Sequence, residues 1–286
     1  MNRMSGKFEN VVIISDIDGT YLAKTDNGAQ RNRQAIEYFK ANGGYFTFAT
    51  GRSMETLFMA EPDAADIINL PVIGCNGAFL YDLKADKEIA SFTMDHREVY
   101  ELQRSFIKFE SENEKCREAA NDHRSVFYKH KKYIDGAADK YRAGYFDKCL
   151  YEIMSPEEWD EHDIHKAIFV GNGKAISELR KYLDPLVADR FEISQASPNY
   201  YEFNARGVSK ASGIAILLKT VFGDKKMTLC TAGDYDNDIE MLKSSDYAFC
   251  PENANERVKA ICHKCLCHCK EGVIADIIEY LDKELN

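Results

Sequence analysis

Two acidic residues stand two positions apart after the first apolar run of the chain. The run Val11 to Ser15 is rich in β-branched residues and ends at Asp16, and Asp18 lies in the loop beyond it. A carboxylate beside a divalent cation stays ionised at neutral pH and can attack phosphorus. A second, offset carboxylate can protonate a leaving alkoxide and later activate water. Taken alone, this spacing fits an acidic turn that caps a strand about equally well.

A second acidic group follows another apolar run, residues 227–232. Three aspartates lie between Asp234 and Asp238, together with Asn237. Mg²⁺ prefers oxygen ligands, usually one or two carboxylates with water and substrate phosphate. Asp234 fits a metal ligand, and Asn237 and Asp238 fit groups that orient the ligands or Lys210. An acidic surface turn is the alternative, but such a cluster repels itself, which favours a bound cation.

Two further positions carry groups that hold a phosphate. The run from Thr50 through Gly51 to Ser53 offers a hydroxyl and backbone amides at a predicted strand end, where a helix begins. Lys210 opens another predicted helix and brings a positive charge. Thr50 or Ser53 would serve equally well as an ordinary helix cap, which is the favoured interpretation for this run alone. A lone lysine in a first helical turn is usually solvated, although the positive end of a helix disfavours it.

Short apolar runs alternate with amphipathic stretches near both ends of the chain, which predicts βαβ units and a parallel sheet. The predicted strands are residues 11–15, 45–50, 71–75, 227–232 and 247–250. The predicted helices are residues 32–42, 54–60, 209–222, 237–243 and 272–285. Because open α/β sheets bind ligands at the carboxyl ends of their strands, the four groups are expected to meet at one edge.

The alternation breaks down between about Tyr81 and Tyr200. Helices are predicted at 97–110 and 174–183, among strands at 88–93, 166–170 and 200–204. This irregular order predicts a separate α+β unit inserted into the first domain. We therefore predict an α/β fold: a Rossmann-like parallel sheet core, residues 1–81 and 201–286, with an inserted α+β cap domain, residues 82–200.

Composition excludes several classes of protein. The 286 residues carry a net charge of -10, so a general nucleic-acid binder, which needs a basic face, is excluded. A local cation can still hold one phosphate in an acidic protein. The chain shows neither the apolar run of a signal peptide nor one long enough to span a bilayer, and we expect a cytoplasmic protein with no membrane partner. The oligomeric state is not predicted.

In order and spacing, these groups resemble the four motifs of the haloacid dehalogenase superfamily of phosphohydrolases, in the version typical of its Cof-type branch. The residues that carry the resemblance are Asp16-Ile17-Asp18-Gly19-Thr20, Thr50-Gly51-Arg52, Gly207-Val208-Ser209-Lys210, Gly233-Asp234-x-x-Asn237-Asp238 and, after the third strand, Asn76-Gly77. In that branch a large α/β cap domain lies between the second and third motifs, which matches the predicted insert. The resemblance covers essentially the whole chain.

The resemblance implies a mechanism. Asp16 would be the nucleophile that forms an aspartyl-phosphate, and Asp18 the general acid and base. Mg²⁺ would be the cofactor, bound by the Asp16 side chain, the Asp18 backbone carbonyl and Asp234, with Asp238 in support.

The resemblance also implies a substrate site. Thr50 and Lys210 would hold the phosphoryl group, and we add Gly51 and Asn237 to the expected substrate contacts. The substrate would be a small phosphorylated metabolite, with a sugar phosphate as the first expectation. A phosphomutase on the same scaffold, or a weakly catalytic protein that binds a phosphometabolite, are the alternatives.

Four of the nine cysteines cluster between Cys262 and Cys269, and a fifth, Cys250, stands with Pro251 where the resembled branch has small residues. Zinc sites favour paired cysteine ligands, but usually as two pairs separated by a longer loop. Cys265, Cys267 and Cys269 alternate and would share one face of a strand. Their tight spacing favours cysteines that pack as small apolar residues, and an accessory metal site is the alternative.

Overall fold

The structure, a computed structural model, describes residues 6–23, 28–113, 123–128, 131–134, 151–153 and 164–284. The chain divides into two compact units. The first comprises Met1–Thr50, Asp63–Ala90 and Ser209–Asn286, and the second comprises Gly51–Pro62 and Ser91–Val208. The core and cap boundaries drawn from the sequence, after residues 81 and 200, stay predictions.

Strands and helices alternate at both ends of the described chain. The strands are β1 (Val11–Ser15), β2 (Tyr45–Phe48), β3 (Val72–Gly74), β4 (Phe79–Asp82), β5 (Lys87–Ser91), β6 (His123–Tyr128), β7 (Lys131–Ile134), β8 (Tyr151–Ile153), β9 (Ile164–Val170), β10 (Phe191–Ser194), β11 (Tyr200–Ala205), β12 (Thr228–Ala232), β13 (Tyr247–Cys250) and β14 (Lys264–Cys265). The described α-helices are α1 (Ala29–Ala41), α2 (Met54–Ala60), α3 (Ala64–Ile67), α4 (His96–Glu112), α5 (Gly173–Val187), α6 (Lys210–Phe222), α7 (Ile239–Lys243), α8 (Glu256–Lys259) and α9 (Val273–Glu284). None of these helices has the length and apolar character needed to cross a membrane.

The first unit is built on a five-stranded sheet with the order β14-β13-β12-β1-β2. Every neighbouring pair in this sheet is parallel. Strand β1, between β12 and β2, is fully buried, as its continuous β-branched run predicts for a strand covered on both faces. The predicted α/β fold class is therefore confirmed, and the carboxyl ends of β1, β2, β12 and β13 lie at one edge.

The strand predicted at residues 71–75 was expected in the parallel sheet, but the structure places it in another sheet. It pairs antiparallel with β4, in a separate three-stranded sheet β3-β4-β5, and meets the end of β2 through a single parallel bridge between Ala49 and Ile73. The chain reverses because Cys75, Asn76 and Gly77 adopt positive φ angles of 46°, 59° and 104°. The Asn76-Gly77 pair seen in the sequence is thus a tight reversal between two strands.

Helices α1 and α9 pack against each other and help to fix the loop after β1. The side chain of Asn32 is fully buried in α1. Its amide donates to the carbonyl of Tyr21 at 3.1 Å, and its oxygen accepts the N–H of Ala275 in α9 at 3.1 Å. The loop that carries the first acidic pair is therefore held by two helices from opposite ends of the chain.

The second unit contains a six-stranded sheet with the order β10-β11-β9-β6-β7-β8, antiparallel except for the pair β7 and β8. Helices α4 and α5 pack together, and their apolar side chains share one core cluster with β9 and β11. In that cluster the rings of Phe106 and Phe169 stack at 4.3 Å between centroids. This mixed topology explains the irregular pattern of the sequence between the α/β halves.

A buried ion pair lies within the second unit. Lys166 of β9 and Glu202 of β11 are 3% and 2% exposed, and their side chains meet at 2.9 Å. The Lys166 ammonium also donates to the carbonyl of Gly51 at 2.6 Å. Buried charges persist only where such partners compensate their lost hydration.

The cysteine-rich segment forms much less strand than its alternation suggests. Strand β14 covers only Lys264–Cys265, and Cys269 begins a short 3₁₀ turn, Cys269–Glu271. Cys265 is exposed, whereas Cys269 is buried. The alternating cysteines therefore do not share one strand face.

Candidate active site

The loop after β1 positions Asp16 and then turns sharply. Asp16 follows the last residue of β1 and is 7% exposed. The turn closes where the N–H of Leu22 donates to the carbonyl of Ile17 at 2.7 Å. Gly19 has a φ of +86°, and a Cβ there would lie 2.5 Å from Oδ2 of Asp234. Both its backbone and its surroundings therefore require glycine at this position.

Lys210 is the first residue of α6, and its side chain is fully buried. Ser209 caps this helix by accepting the N–H of Ser212 at 3.3 Å, which fixes where the helix begins. The Lys210 ammonium donates to Oδ1 of Asp16 at 2.5 Å and to Oδ1 of Asp238 at 2.6 Å. The predicted cation thus joins carboxylates that follow two different strands.

Asp238 acts as a brace between Lys210 and the loop after β12. Its Oδ1 accepts the hydrogen bond from Lys210, and its Oδ2 accepts the N–H groups of Asp234 and Tyr235 at 2.9 and 3.0 Å. Through these hydrogen bonds Asp238 positions Lys210 and the loop after β12, and its carboxylate also lies close to those of Asp16 and Asp234.

The aspartates of this site are strongly perturbed. Burial raises the pKa of Asp16 to about 7, with the charges of Asp238 and Asp18 adding to the shift and Lys210 opposing it. Burial likewise raises the pKa of Asp234 to about 8, and the charge of Asp16 contributes next. Burial alone would lower the pKa of Lys210, but the charges of Asp16 and Asp238 raise it. Negative charge therefore exceeds positive charge in a poorly hydrated site.

This excess of negative charge fits a divalent cation. Asp16, Asp234 and Asp238 each offer an oxygen within 4.8 Å of the others. The hydroxyl of Thr20 donates to Oδ1 of Asp234 at 3.1 Å, while Oδ2 of Asp234 faces the space left open at Gly19. Hard carboxylate oxygens in this arrangement suit Mg²⁺, and a cation would relieve the repulsion between them.

Thr50 and Asn237 lie on either side of the reversal after β3. Thr50 follows β2 by two positions and is fully buried, and its carbonyl accepts the N–H of Asn76 at 2.9 Å. The amide of Asn237 donates to the side-chain oxygen of Asn76 at 3.4 Å. The left-handed turn at Asn76 therefore links two of the predicted substrate contacts.

Two predicted site residues are not among the buried site residues of the first unit. Asp18 is exposed in the loop after β1, although its charge still raises the pKa of Asp16. Gly51 belongs to the second unit, where its carbonyl accepts the hydrogen bond from Lys166. The remaining predicted site residues, Asp16, Thr50, Lys210, Asp234, Asn237 and Asp238, belong to the first unit.

Asn253, which follows β13, was not assigned to the site from the sequence. Its amide donates to the carbonyl of Gly19 at 2.7 Å, and its oxygen accepts the N–H of Cys269 at 3.0 Å. Nearby, the N–H of Asn255 donates to the carbonyl of Asp234 at 3.1 Å. The sequence offered an indication of this role, because Asn253 lies in the loop after β13. That loop leaves the same edge of the sheet as the loop that carries Asp16.

Comparisons with known proteins agree with this geometry. The 5-amino-6-(5-phospho-D-ribitylamino)uracil phosphatase YcsE of Bacillus subtilis is 24% identical over 257 residues, which cover 87% of this chain and 86% of that protein. The phosphatase YitU of the same organism, which is named for the same activity, is 21% identical over 274 residues, covering 94% of this chain and 96% of that protein.

Solved structures share the fold. The subclass IIB sugar phosphatase BT4131 superposes with a TM-score of 0.77 at 20% identity, covering 95% of this chain and 99% of that one. SMU.1108c of Streptococcus mutans superposes with a TM-score of 0.76 at 21% identity, covering 96% and 99%. The family model described as haloacid dehalogenase-like hydrolase matches residues 13–278. The chain is therefore an enzyme of the haloacid dehalogenase-like hydrolase family.

Proposed function

We propose that this enzyme is a phosphatase that hydrolyses a small phosphate monoester through an aspartyl-phosphate on Asp16. The observation that carries the proposal is the buried Lys210, whose ammonium holds one oxygen of Asp16 at 2.5 Å. This contact fixes the carboxylate in one orientation beside a positive charge that can also bind a phosphoryl oxygen. Three features support this orientation: Asp16 directly follows β1, Ser209 fixes the start of the helix that carries Lys210, and Asp238 accepts a hydrogen bond from the Lys210 ammonium.

We propose Mg²⁺ as the cofactor, held by the side chains of Asp16 and Asp234 and by the backbone carbonyl of Asp18. When bound, the ion supplies charge neutralisation that keeps the carboxylates ionised and stabilises negative charge on the phosphoryl group. Asp238 would support the ligands through its bonds to Lys210 and to the N–H of Asp234.

We assign the proton transfers to Asp18. Its exposed carboxylate stands two residues from the nucleophile and beyond the buried cluster, which suits contact with the leaving oxygen of a substrate and then with water. Thr50, Lys210 and the Gly51 backbone would hold phosphate oxygens, and Asn237 would contact the substrate from the loop after β12.

For the substrate we propose a small phosphorylated metabolite with a sugar or sugar-alcohol part. The relatives YcsE and YitU are named for a phosphorylated ribitylamino compound, and BT4131 is described as a sugar phosphatase. The net charge of -10 fits such a small anionic ligand held by a local cation, rather than a nucleic acid. We place the enzyme in the cytoplasm, where such metabolites occur.

Phosphate release from p-nitrophenyl phosphate and from a panel of sugar and sugar-alcohol phosphates, with and without Mg²⁺, tests the proposal. Asp16→Asn should lower kcat by on the order of 10⁴-fold, because the variant lacks its nucleophile. Asp224→Asn is the matched control, since that carboxylate is 95% exposed and pairs only with the surface residue Lys219 in the contacts described. Equal rates for Asp16→Asn and the wild type would contradict the assignment.

The same panel separates the alternatives. A phosphomutase would move the phosphoryl group to another position of the substrate and release little inorganic phosphate. A weakly catalytic binding protein would be stabilised against heat by a phosphometabolite without turning it over.

A further inference from the structure

Two cysteines stand side by side where two neighbouring strands end. Cys250 is the last residue of β13 and Cys265 is the last residue of β14, and the two are paired in the parallel register. The carbonyl of Cys250 accepts the N–H of Leu266 at 2.9 Å, which holds this register. Adjacent strands lie about 4.7–4.9 Å apart. That spacing falls inside the range of about 4.4–6.8 Å between the Cα atoms of disulfide-bonded cysteines.

The two side chains lie on the same face of the sheet, because paired residues of a parallel ladder direct their side chains to one face. Each thiol raises or lowers the pKa of the other through their interaction, and Cys262 raises the pKa of Cys250 as well. Among the described side chains, these three sulfurs do not form a group within 4.8 Å of one another, so a pairwise bond fits them better than a metal ion.

Solvent reaches only one of these two cysteines. Cys250 is 0% exposed within the core, whereas Cys265 is exposed. The ammonium of Lys259 interacts with both thiols and opposes the effect of burial, which raises the pKa of Cys265. A dissolved oxidant would therefore react first with the exposed thiol of Cys265. The buried thiol of Cys250 would then be the neighbouring group that reacts with the oxidised sulfur.

We propose that Cys250 and Cys265 form a reversible disulfide when the protein meets a hydroperoxide. The Cys265 sulfur attacks the terminal peroxide oxygen, so that an S–O bond forms, the O–O bond breaks and an alcohol or water leaves. The Cys250 sulfur then attacks the Cys265 sulfur, the S–O bond breaks, and the released hydroxide takes the Cys250 proton as water. The two thiols lose two electrons in total, and the peroxide gains them.

The bond would act close to the candidate active site. Cys250 is followed by the loop in which Asn253 holds the carbonyl of Gly19 and Asn255 holds the carbonyl of Asp234. Drawing the Cys250 side chain out of the core towards Cys265 would move this loop and both of its contacts. A loss of activity on oxidation is therefore expected, and this part of the inference rests on the proposed function.

The bond itself is tested by treating the full-length protein with millimolar hydrogen peroxide and mapping its peptides by mass spectrometry without reduction. We expect a peptide pair joined through Cys250 and Cys265, which dithiothreitol separates. The pair should be absent in Cys265→Ser and in Cys250→Ala, and Lys259→Gln should form it more slowly. Cys267→Ser is the matched control from the same segment and should form it as the wild type does.

The outcomes are decisive for the pairing. A link between Cys250 and Cys262, irreversible oxidation of Cys265 without a link, or no reaction would each overturn it. The exposed Cys265→Ser variant keeps the test valid if the buried Cys250→Ala variant fails to fold.

Activity is a separate readout. Phosphate release should fall in step with the linked fraction and return on reduction. A linked protein with undiminished activity would refute the effect on the site but not the bond. A protein that hydrolyses no phosphate ester before oxidation would count against the proposed function and leave the bond untouched.

Discussion

The two units each bury a lysine, and the surroundings of the two lysines differ. Lys210 meets Asp16 and Asp238, with Asp234 in the same cluster, so three carboxylates surround one ammonium. Among the contacts that the structure describes, Lys166 meets one carboxylate, that of Glu202, and a neutral carbonyl. Both lysines are buried and hydrogen-bonded, and within these described contacts the excess of negative charge lies around Lys210.

This difference separates a site prepared for a ligand from a pair that specifies structure. A balanced buried pair has no need of a further ion, and its residues can often be replaced by apolar ones without loss of stability. An unbalanced cluster remains strained until another cation arrives, which is typical of functional sites.

Among the changes that compare the two lysines, the largest expected effect is the loss of catalysis on replacing Lys210. Lys210→Met should lower kcat by about 10³-fold, because it removes the charge that orients Asp16 and contacts the phosphoryl group. It should also leave two buried carboxylates without their common partner. Steady-state phosphate release at saturating substrate measures the effect, with Lys219→Met on the exposed end of the same helix as the control. A variant with wild-type kcat would remove the contrast between the two lysines.

The corresponding change in the second unit should act on stability. Lys166→Met is expected to destabilise the protein by about 3–5 kcal/mol, because the buried Glu202 carboxylate loses its ion pair with Lys166. The double variant Lys166→Met/Glu202→Leu should recover most of that loss. Urea unfolding of the two variants and the wild type measures both effects. If the double variant were as unstable as the single one, the pair would not be the balanced structural element described above.

The smallest expected effect is a pH-dependent change in the thermal stability of the metal-free protein. It tests whether the carboxylates around Lys210 repel one another. The pKa of Asp234 is raised from 3.8 to about 8, so the folded state holds this proton more tightly than the unfolded state. Its contribution to stability therefore falls as pH rises from about 4 to 8. At pH 8 in EDTA, Asp234→Asn should raise Tm by at least about 2 °C, and the gain should vanish at pH 4.

Thermal scans with Mg²⁺ complete this test. Added Mg²⁺ should raise the Tm of the wild type at pH 8 by binding the folded state, and should do so much less for Asp234→Asn. The exposed Asp224→Asn variant should respond as the wild type does. A higher Tm for the wild type than for Asp234→Asn in EDTA at pH 8 would speak against a strained cluster.

The sequence was sufficient where function depends on short-range pattern. A β-branched run that ends in an aspartate, or a serine-capped helix that begins with a lysine, is visible within a few residues. The rule that parallel strands align their carboxyl ends then predicts which of these groups belong together. For this reason the α/β fold and the family were predicted correctly from local motifs.

The features that were missed depend on pairing between distant segments. Lys166 and Glu202 each interrupt an apolar strand, but only the register of β9, β11 and their loops shows that they meet. The pairing of Cys250 with Cys265 likewise requires the register of β14, a strand of two residues that composition does not reveal. The reversal at Asn76 depends on left-handed backbone at two residues other than glycine.

The turn at Gly19 has a consequence for how this enzyme can evolve. Any other residue there would face both an unfavourable backbone angle and the carboxylate of Asp234, so two separate defects would arise from one mutation. A substitution at this position is therefore expected to be poorly tolerated. Inherited variation should therefore collect in the residues that hold the loop from outside, such as Asn253, whose contacts can be weakened by degrees.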